Sequence, residues 1–179
     1  MTDRSQEPLD STPTGLIQWD SSWPELAVEP ERNRLFSYLE ERFGIPHGLF
    51  KEYLLVKRAK TWILIKADPQ INHATKLKVL RVGLRAFEEV GSFIKPTTRM
   101  IQVFGHAATR ARLEINETQL MQLWEGRQMN LDLDLDKGYV ILSLGKDAIL
   151  GLGFYADGRL SSQLPRRELG KAMWNHLEV

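Results

Sequence analysis

Basic side chains gather in two stretches of this 179-residue sequence. Arginine is well suited to binding phosphate because its planar guanidinium group grips two oxygen atoms at once and also stacks on bases. If both stretches lie on one face of the folded chain, they form a patch of about eight positive charges that favours nucleic acid. If they do not, they are scattered solvated side chains, and composition leaves both interpretations open. The first stretch holds Lys95, Arg99, His106, Arg110 and Arg112, and the second holds Arg159, Arg166, Arg167 and Lys171.

Other kinds of site chemistry find little support in the residue types. The chain has no cysteine, which excludes disulfides, thiolate zinc sites, iron–sulfur clusters and a cysteine nucleophile. The four histidines show no spacing of the HExxH kind, and no pair of carboxylates stands out as acid and base. We therefore predict no catalytic residues, no metal site and no cofactor. The histidines are His47, His73, His106 and His176.

A glycine motif in the second half matches the letters of a dinucleotide-binding fingerprint. It reads GLGFYA over residues 151–156. Pyrophosphate binding needs a helix directly after these glycines, whereas Asp157-Gly158 predicts a turn. The glycines are better explained by a strand that bends sharply or that lets another backbone or a phosphate come close.

Three alternate aspartates resemble the first half of a calcium-binding loop. They are Asp132, Asp134 and Asp136. The glycine that such a loop requires is replaced by Lys137, and its bidentate glutamate by Ser143. Leucines alternate with the aspartates, which predicts a strand or an extended loop with one solvated face.

Charge is divided unevenly along the chain. Residues 1–31 hold seven acidic residues and one basic residue, a net charge of −6, and the remainder holds 23 basic and 16 acidic residues, a net charge of +7. Residues 1–28 are also rich in Ser, Thr and Pro, so we predict a largely disordered acidic tail, and we hypothesise that it covers the basic face when no ligand is bound. No apolar signal segment or membrane span is evident, which predicts a cytoplasmic protein.

The elements of the first half follow from local patterns. Apolar residues recur at helical spacing after Pro30, and Gly44 should end this helix. Strands are predicted over 53–57 and 61–66 as a hairpin, and a third strand over 79–88, where Gly83 allows a bulge. A domain boundary is placed near Lys95. The apolar residues of the helix are Leu35, Phe36, Leu39 and Phe43.

The second half combines two short helices with several strands. A helix is predicted from Thr98 to Val103, and a second one begins at Asn116, where Gln119 completes a capping box. Strand 110–115 alternates, which places Arg110, Arg112 and Glu114 on its solvated face and Ala111, Leu113 and Ile115 on its buried face. Strands over 138–144, 149–156 and 160–164 and a helix over 168–178 complete a small mixed barrel.

Residues 96–167 contain a series of motifs in a fixed order. They are PTTRMIQVFGHAATRARLEI, the helix end Trp124-Glu125-Gly126, the strand start Gly138-Tyr139-Val140, the strand glycines Gly151 and Gly153, and Leu164-Pro165-Arg166-Arg167. In this order they resemble a known RNA-binding domain, the PUA-type domain attached to Sun-type RNA cytosine-5 methyltransferases. Residues 32–95 more loosely resemble the domain that precedes PUA in that family and in two-domain ribosome-biogenesis factors, through the RFGI turn (42–45) and the hairpin after it.

The resemblance implies an α+β chain with an N-terminal small α/β pre-PUA domain followed by a PUA-like mixed β pseudo-barrel. The tail then covers 1–28, the pre-PUA-like domain 29–95 and the PUA-like RNA-binding domain 96–179. Arg110 and Arg112 join the predicted RNA-binding residues through the strand alternation, and together with Arg159, Arg166 and Arg167 they should lie on one face. The residues implied by the resemblance are Arg127, Gln128, Tyr155, Arg159, Arg166 and Arg167.

The related methyltransferases need a cysteine thiolate and a methyl-donor domain, and this sequence shows neither. The sequence thus predicts an RNA-binding accessory factor that is not an enzyme. Its partner would be structured rRNA or tRNA, with an RNA-modifying enzyme or a ribosomal protein as a further partner, in rRNA processing, RNA modification or ribosome biogenesis. The alternative is a protein-interaction adaptor in ribosome assembly that does not itself bind RNA. A third interpretation, a small-molecule or nucleoside enzyme, requires a cleft with paired titratable groups.

Overall fold

The computed structural model describes residues 23–74, 76–77, 81–91, 93–146 and 148–165, and within them the chain is an α+β protein with two five-stranded sheets. The helices are α1 (Glu29–Phe43), α2 (Ile71–Ala74), α3 (Thr98–Phe104) and α4 (Glu117–Trp124), with 3₁₀ turns at His47–Phe50 and Gly105–Ala107. The strands are β1 (Glu25–Leu26), β2 (Tyr53–Arg58), β3 (Thr61–Lys66), β4 (Leu84–Val90), β5 (Phe93–Pro96), β6 (Arg112–Ile115), β7 (Met129–Asn130), β8 (Gly138–Leu144), β9 (Ala148–Ala156) and β10 (Arg159–Ser162).

The first sheet has the order β1-β2-β3-β4-β5, and every neighbouring pair is antiparallel. Its central hairpin, β2–β3, is the predicted one, and Ala59 closes the turn in the left-handed region at φ 51°. Helix α1 packs against this part of the chain with the predicted apolar stripe, and the Phe36 ring stacks on Phe50 with centroids 4.4 Å apart. The predicted helix and hairpin are therefore confirmed.

The second sheet has the order β6-β8-β9-β10-β7 and is curled like half of a barrel. Strand β6 runs parallel to β8, while the other neighbours are antiparallel. The chain reaches the parallel strand through α4 and β7, as a parallel connection requires a crossover. This curled sheet is compatible with the predicted β pseudo-barrel.

Much of the apolar core is shared by residues of both sheets. Leu64 and Phe87 of the first sheet belong to the same buried cluster as Ile141 and Leu152 of the second. Helix α3 contributes Met100 and Ile101, which are both fully buried in that cluster. A second cluster lies within the curled sheet, around Val140, Leu142 and Leu160, beneath α4.

The glycines of the GLGFYA motif serve close packing inside strand β9. A Cβ atom on Gly151, whose φ is +145°, would lie 2.6 Å from Leu164 and 2.8 Å from Thr98 of α3. A Cβ atom on Gly153 would lie 3.0 Å from Leu160. Both glycines are buried, so what approaches this strand is the protein's own side chains.

Helix α4 begins with the predicted capping box. The Asn116 side chain accepts a hydrogen bond from the Gln119 backbone N–H at 2.9 Å, and the Gln119 side chain accepts one from the Asn116 backbone N–H at 2.9 Å. These two bonds satisfy backbone donors that a helix start otherwise leaves unpaired.

Replacing Asn116 with alanine should therefore lower the free energy of unfolding by about 1 kcal/mol, as is usual for the loss of an N-cap. Urea denaturation followed by circular dichroism measures the change. Thr118→Ala, at an exposed position of the same helix, is the control and should change stability much less. Equal losses of unfolding free energy in the two variants would show that the capping box does not stabilise the protein.

Several boundaries differ from the predicted ones. Strand β4 begins at Leu84 rather than at 79. Arg81 and Val82 have no regular secondary structure, and Gly83, directly before the strand, adopts a left-handed backbone conformation at φ +64°. The register shift predicted at Gly83 occurs instead opposite Trp62 and Ile63 in the β3–β4 pairing. The short strands β1, β5 and β7 were missed, since two to four residues are too few to show a period.

The predicted domain boundary near Lys95 falls inside β5, and the division into three segments stays a prediction. Residues 1–22 of the predicted tail lie outside the described residues, as does the helix predicted over 168–178. Trp23 is buried against a cluster that includes Val56 and Ile71. Over the described ranges, no helix is both long and apolar enough to cross a bilayer.

Candidate functional site

A basic depression lies beside the start of β6. It has a volume of about 500 Å³. Three of its side chains are cationic and one is acidic, so its charge favours an anionic ligand. The lining residues are Ala108, Thr109, Arg110, Ala111, Arg112, Glu114 and Lys146.

The end of helix α1 holds the wall of this depression in place. The backbone N–H groups of Thr109 and Arg110 both donate to the Phe43 carbonyl oxygen, at 2.9 and 3.0 Å. The last carbonyl groups of a helix have no partner within the helix. The two bonds therefore satisfy the Phe43 carbonyl and, at the same time, fix the backbone of Arg110. The close approach requires Gly44, because a Cβ atom there would lie 2.0 Å from the Thr109 hydroxyl oxygen.

The opposite wall comes from the turn between β8 and β9. The Arg112 guanidinium donates to the Lys146 carbonyl oxygen, which ties the start of β6 to this turn. The Ala111 carbonyl accepts from the Ile141 N–H at 2.8 Å, which begins the parallel ladder between β6 and β8. Pairing of strands that are distant in sequence thus brings Lys146 to the basic residues of β6.

The predicted alternation around β6 is confirmed. Ala111 and Ile115 are buried, whereas Arg110 and Glu114 are exposed and Arg112 is half-buried. The strand is shorter than predicted, because Ala111 adopts a left-handed conformation at φ 44° and the ladder begins only at Arg112. Lys146 was missed as a site residue, and the only signal for it was a Gly-Lys turn between two predicted strands.

A second group of candidate residues gathers where β7 pairs with β10. Arg159 lies opposite Asn130 in the register, which brings it close to the loop that holds Arg127 and Gln128. All three candidate side chains are exposed, and the Arg127 guanidinium forms an ion pair with Glu125. Arg166 and Arg167, predicted to join this group, lie outside the described residues.

The two groups lie on different strands of the curled sheet, because β8 and β9 separate β6 from β10, and Lys146 and Arg159 also follow opposite ends of the β8–β9 hairpin. Arg159 follows the end at which Gly138 pairs with Tyr155, and Lys146 follows the end at which Leu144 pairs with Ala148. Six residue steps separate these ends, which is roughly 20 Å of extended strand. The structure therefore brings Arg110, Arg112 and Lys146 together and places Arg159 elsewhere.

Tyr155 takes a different position from the surface one that the resemblance implied. Its side chain belongs to a buried cluster and is only 6% exposed. The hydroxyl group accepts from the Leu133 N–H and donates to the Leu131 carbonyl, each at 3.2 Å. It thereby holds the extended segment in which exposed aspartates alternate with half-buried leucines, and its ring is not offered to a ligand at the surface.

The remaining basic residues of the first stretch do not line the depression. Lys95 forms an ion pair with Glu88 at 3.1 Å, and Arg99 donates to the side chain of Gln102 at 3.2 Å. His106 is exposed in the 3₁₀ turn that leads into the depression. No group of three His, Asp or Glu side chains within the described ranges could hold a metal ion.

Comparison with known proteins gives one informative similarity. No family model matches the chain. The sequence is 28% identical over 147 residues to the ribosomal RNA small subunit methyltransferase F of Psychromonas ingrahamii, a match that covers 78% of this chain and 30% of that protein. The match supports a relation to the Sun-type methyltransferases that the sequence resembles.

This similarity corrects one prediction from the sequence. The prediction that the chain is not an enzyme was wrong, because the relative is itself a methyltransferase. The absence of a cysteine and of a methyl-donor domain excludes this activity only for a chain that spans the whole of such an enzyme. The chain spans about 30% of the relative's length, so the activity of the whole relative is not transferred to this chain.

Proposed function

We propose that this chain binds structured RNA in the service of rRNA modification, with the basic depression around Arg110 and Lys146 as its main phosphate site. The observation that carries the proposal is the convergence of three cationic side chains on one depression. Its net positive lining has the sign and the chemistry needed to replace counterions along an RNA backbone.

Arg110 and Lys146 are the residues best placed to hold phosphate. Both are exposed, and no side-chain ion pair joins either of them to another residue of the described part of the chain. Their charge is thus available to a ligand. Arg112 already donates to the Lys146 carbonyl, so its main role in the proposal is to hold the two walls of the site together.

Arg127, Gln128 and Arg159 form a second contact in the proposal, together with Arg166 and Arg167. Two contacts at separate places, one beside β6 and one beside β10, suit a folded RNA that lies across the curled sheet. Tyr155 supports the neighbouring loop from inside and does not touch the RNA directly.

The pre-PUA and PUA division is part of the same proposal, with a tail over 1–28, a pre-PUA-like domain over 29–95 and a PUA-like domain over 96–179. The curled second sheet and the motifs of residues 96–167 support it. The relative's name specifies small-subunit ribosomal RNA, so rRNA is favoured over tRNA as the ligand. The cytoplasmic location and the involvement of a modifying enzyme or ribosomal protein remain predictions.

The test compares RNA binding by the wild type and by the double variant Arg110→Ala/Lys146→Ala. The probe is a fluorescent small-subunit rRNA helix–loop fragment, and fluorescence anisotropy is recorded between 50 and 200 mM salt. The double variant should bind more weakly throughout, and the slope of log affinity against log salt should fall by about two, since about one counterion is released per phosphate contact.

The matched control is Lys51→Ala/Arg58→Ala, which removes the same charge from exposed positions beside the first sheet. Its salt slope should equal that of the wild type. Equal weakening by both double variants would show that only net charge matters. Absence of RNA binding by the wild type would overturn the proposal and favour the protein-interaction adaptor.

A further inference from the structure

Glu114 is the one acidic side chain that lines the basic depression. It is exposed and lies on the same face of β6 as Arg112. The neighbouring Arg112 forms no ion pair with it, and the Arg112 guanidinium donates to the Lys146 carbonyl instead. Within the described residues, the Glu114 carboxylate forms no ion pair with a basic side chain.

A free carboxylate in a phosphate site has an energetic consequence. It repels every phosphate oxygen nearby, so a ligand held by Arg110 and Lys146 is repelled when its phosphate faces Glu114. An ionised carboxylate is also a pure hydrogen-bond acceptor. The ligand group against it must therefore be an N–H or O–H donor, which a nucleotide carries on its base or on its ribose.

We propose that Glu114 is a specificity-determining residue, which accepts a hydrogen bond from a base amino group or a ribose 2′-hydroxyl of the nucleotide whose phosphate Arg110 and Lys146 hold. This inference rests on the proposed RNA-binding function and deepens it. Cytosine N4 is a usual partner of glutamate in base recognition, and the 2′-hydroxyl is the group that distinguishes RNA from DNA.

Strand β6 is well suited to this task because it is an edge strand of its sheet. In the described sheet it pairs with β8 on one side only. Residues 112 and 114 alternate with the inward-facing Leu113 and Ile115, so the Glu114 side chain is carried by an ordered ladder and still reaches solvent. A ligand donor can approach the carboxylate without any rearrangement of the strand.

The experiment measures the affinity of Glu114→Ala and Glu114→Gln for the same rRNA fragment at fixed salt. A lost charge-assisted hydrogen bond should weaken binding about tenfold in the alanine variant, as for a good base contact. Glutamine should recover part of the loss, because its amide oxygen still accepts. Glu117→Gln, three residues further on and outside the lining, is the control for removal of one negative charge, and it should leave binding unchanged or slightly tighter.

Two further ligands identify the donor. With a DNA fragment of the same sequence, a 2′-hydroxyl donor predicts that the wild type prefers RNA and that Glu114→Ala loses this preference. With cytosine replaced by uracil in the RNA loop, a base amino donor predicts that the wild type discriminates and that the variant does not.

Tighter binding of RNA and DNA alike by Glu114→Ala, matching Glu117→Gln, would overturn the inference, because the carboxylate would then only repel. That result leaves the effect of Arg110→Ala/Lys146→Ala intact. Failure of the RNA-binding function itself is different, since the wild type would then bind no RNA in a salt-dependent way.

Discussion

Arg42→Ala should lower the free energy of unfolding by about 3 kcal/mol, because it removes two charge-assisted hydrogen bonds and a packing contact. The guanidinium donates from Nε to the Tyr139 carbonyl at 2.8 Å and from a terminal nitrogen to the Asp136 carbonyl at 3.0 Å. The guanidinium packs directly on Gly138, since a Cβ atom added to this glycine would lie only 3.0 Å from Arg42 Cζ. Arg42 thus fastens α1 to the first residues of β8.

Arg42 is half-buried, and its hydrogen bond to the Tyr139 carbonyl is partly shielded from solvent, which adds to the expected loss. Burial raises the pKa of the nearby Tyr38 to about 12, with the positive charge of Arg42 opposing that rise and Tyr139 adding to it. The phenol is therefore neutral at pH 7. Arg42→Lys should recover little stability, because one ammonium group does not reproduce the forked geometry of a guanidinium.

Urea denaturation of the purified variants measures the effect. Arg34→Ala, at an exposed position of the same helix, removes the same charge and should change stability by no more than about 0.5 kcal/mol. A similar small change in Arg42→Ala would mean that the contact between α1 and β8 adds nothing to stability.

Gly44→Ala should destabilise the protein by a similar amount, about 3 kcal/mol, for two reasons that can be separated. Gly44 has φ +67°, and an alanine in the left-handed region costs about 1–2 kcal/mol. The new Cβ atom would also overlap the Thr109 hydroxyl oxygen, 2.0 Å away, and force the segment that carries Arg110 to move.

A second substitution isolates the overlap. In Gly44→Ala/Thr109→Ala the hydroxyl is gone and the nearest side-chain atom is Thr109 Cβ, at 3.2 Å, so about half of the loss should be recovered. Gly48→Ala is the control, since a Cβ atom there meets nothing within 4 Å. A double variant as unstable as Gly44→Ala would assign the whole loss to backbone strain.

Elements with a strong local period were predictable. The apolar stripe of α1, the capping box of α4 and the alternation of Arg110 to Ile115 each depend on residues within one or two turns or strands. The predictions for these three elements agree with the structure, because the spacing of neighbouring residues decides which face is buried. The short edge strands β1, β5 and β7 escaped prediction, since hydrogen bonds to distant strands define them.

The candidate site divides in the same way. Arg110 and Arg112 were identified from strand alternation, while Lys146 is 34 residues beyond Arg112 and joins them only through the parallel pairing of β6 with β8. Arg159 does not line the depression, because β8 and β9 lie between β10 and β6, and the single face predicted for Arg110, Arg112, Arg159, Arg166 and Arg167 stays a prediction. The resemblance implied that Tyr155 contacts RNA, whereas the side chain is buried and its hydroxyl has backbone partners at Leu131 and Leu133.

The sequence by itself determined which residue types are available for chemistry: abundant arginine and lysine beyond the acidic first 31 residues, and no cysteine. It also determined the faces of the regular elements, since periodicity is a local property. Only the tertiary structure decided that Arg110, Arg112 and Lys146 share one depression with Glu114, because strand order and register depend on which distant segments bury their apolar faces together. The same long-range packing, through Arg42 and Gly44, holds the end of α1 against both the curled sheet and the wall of the site.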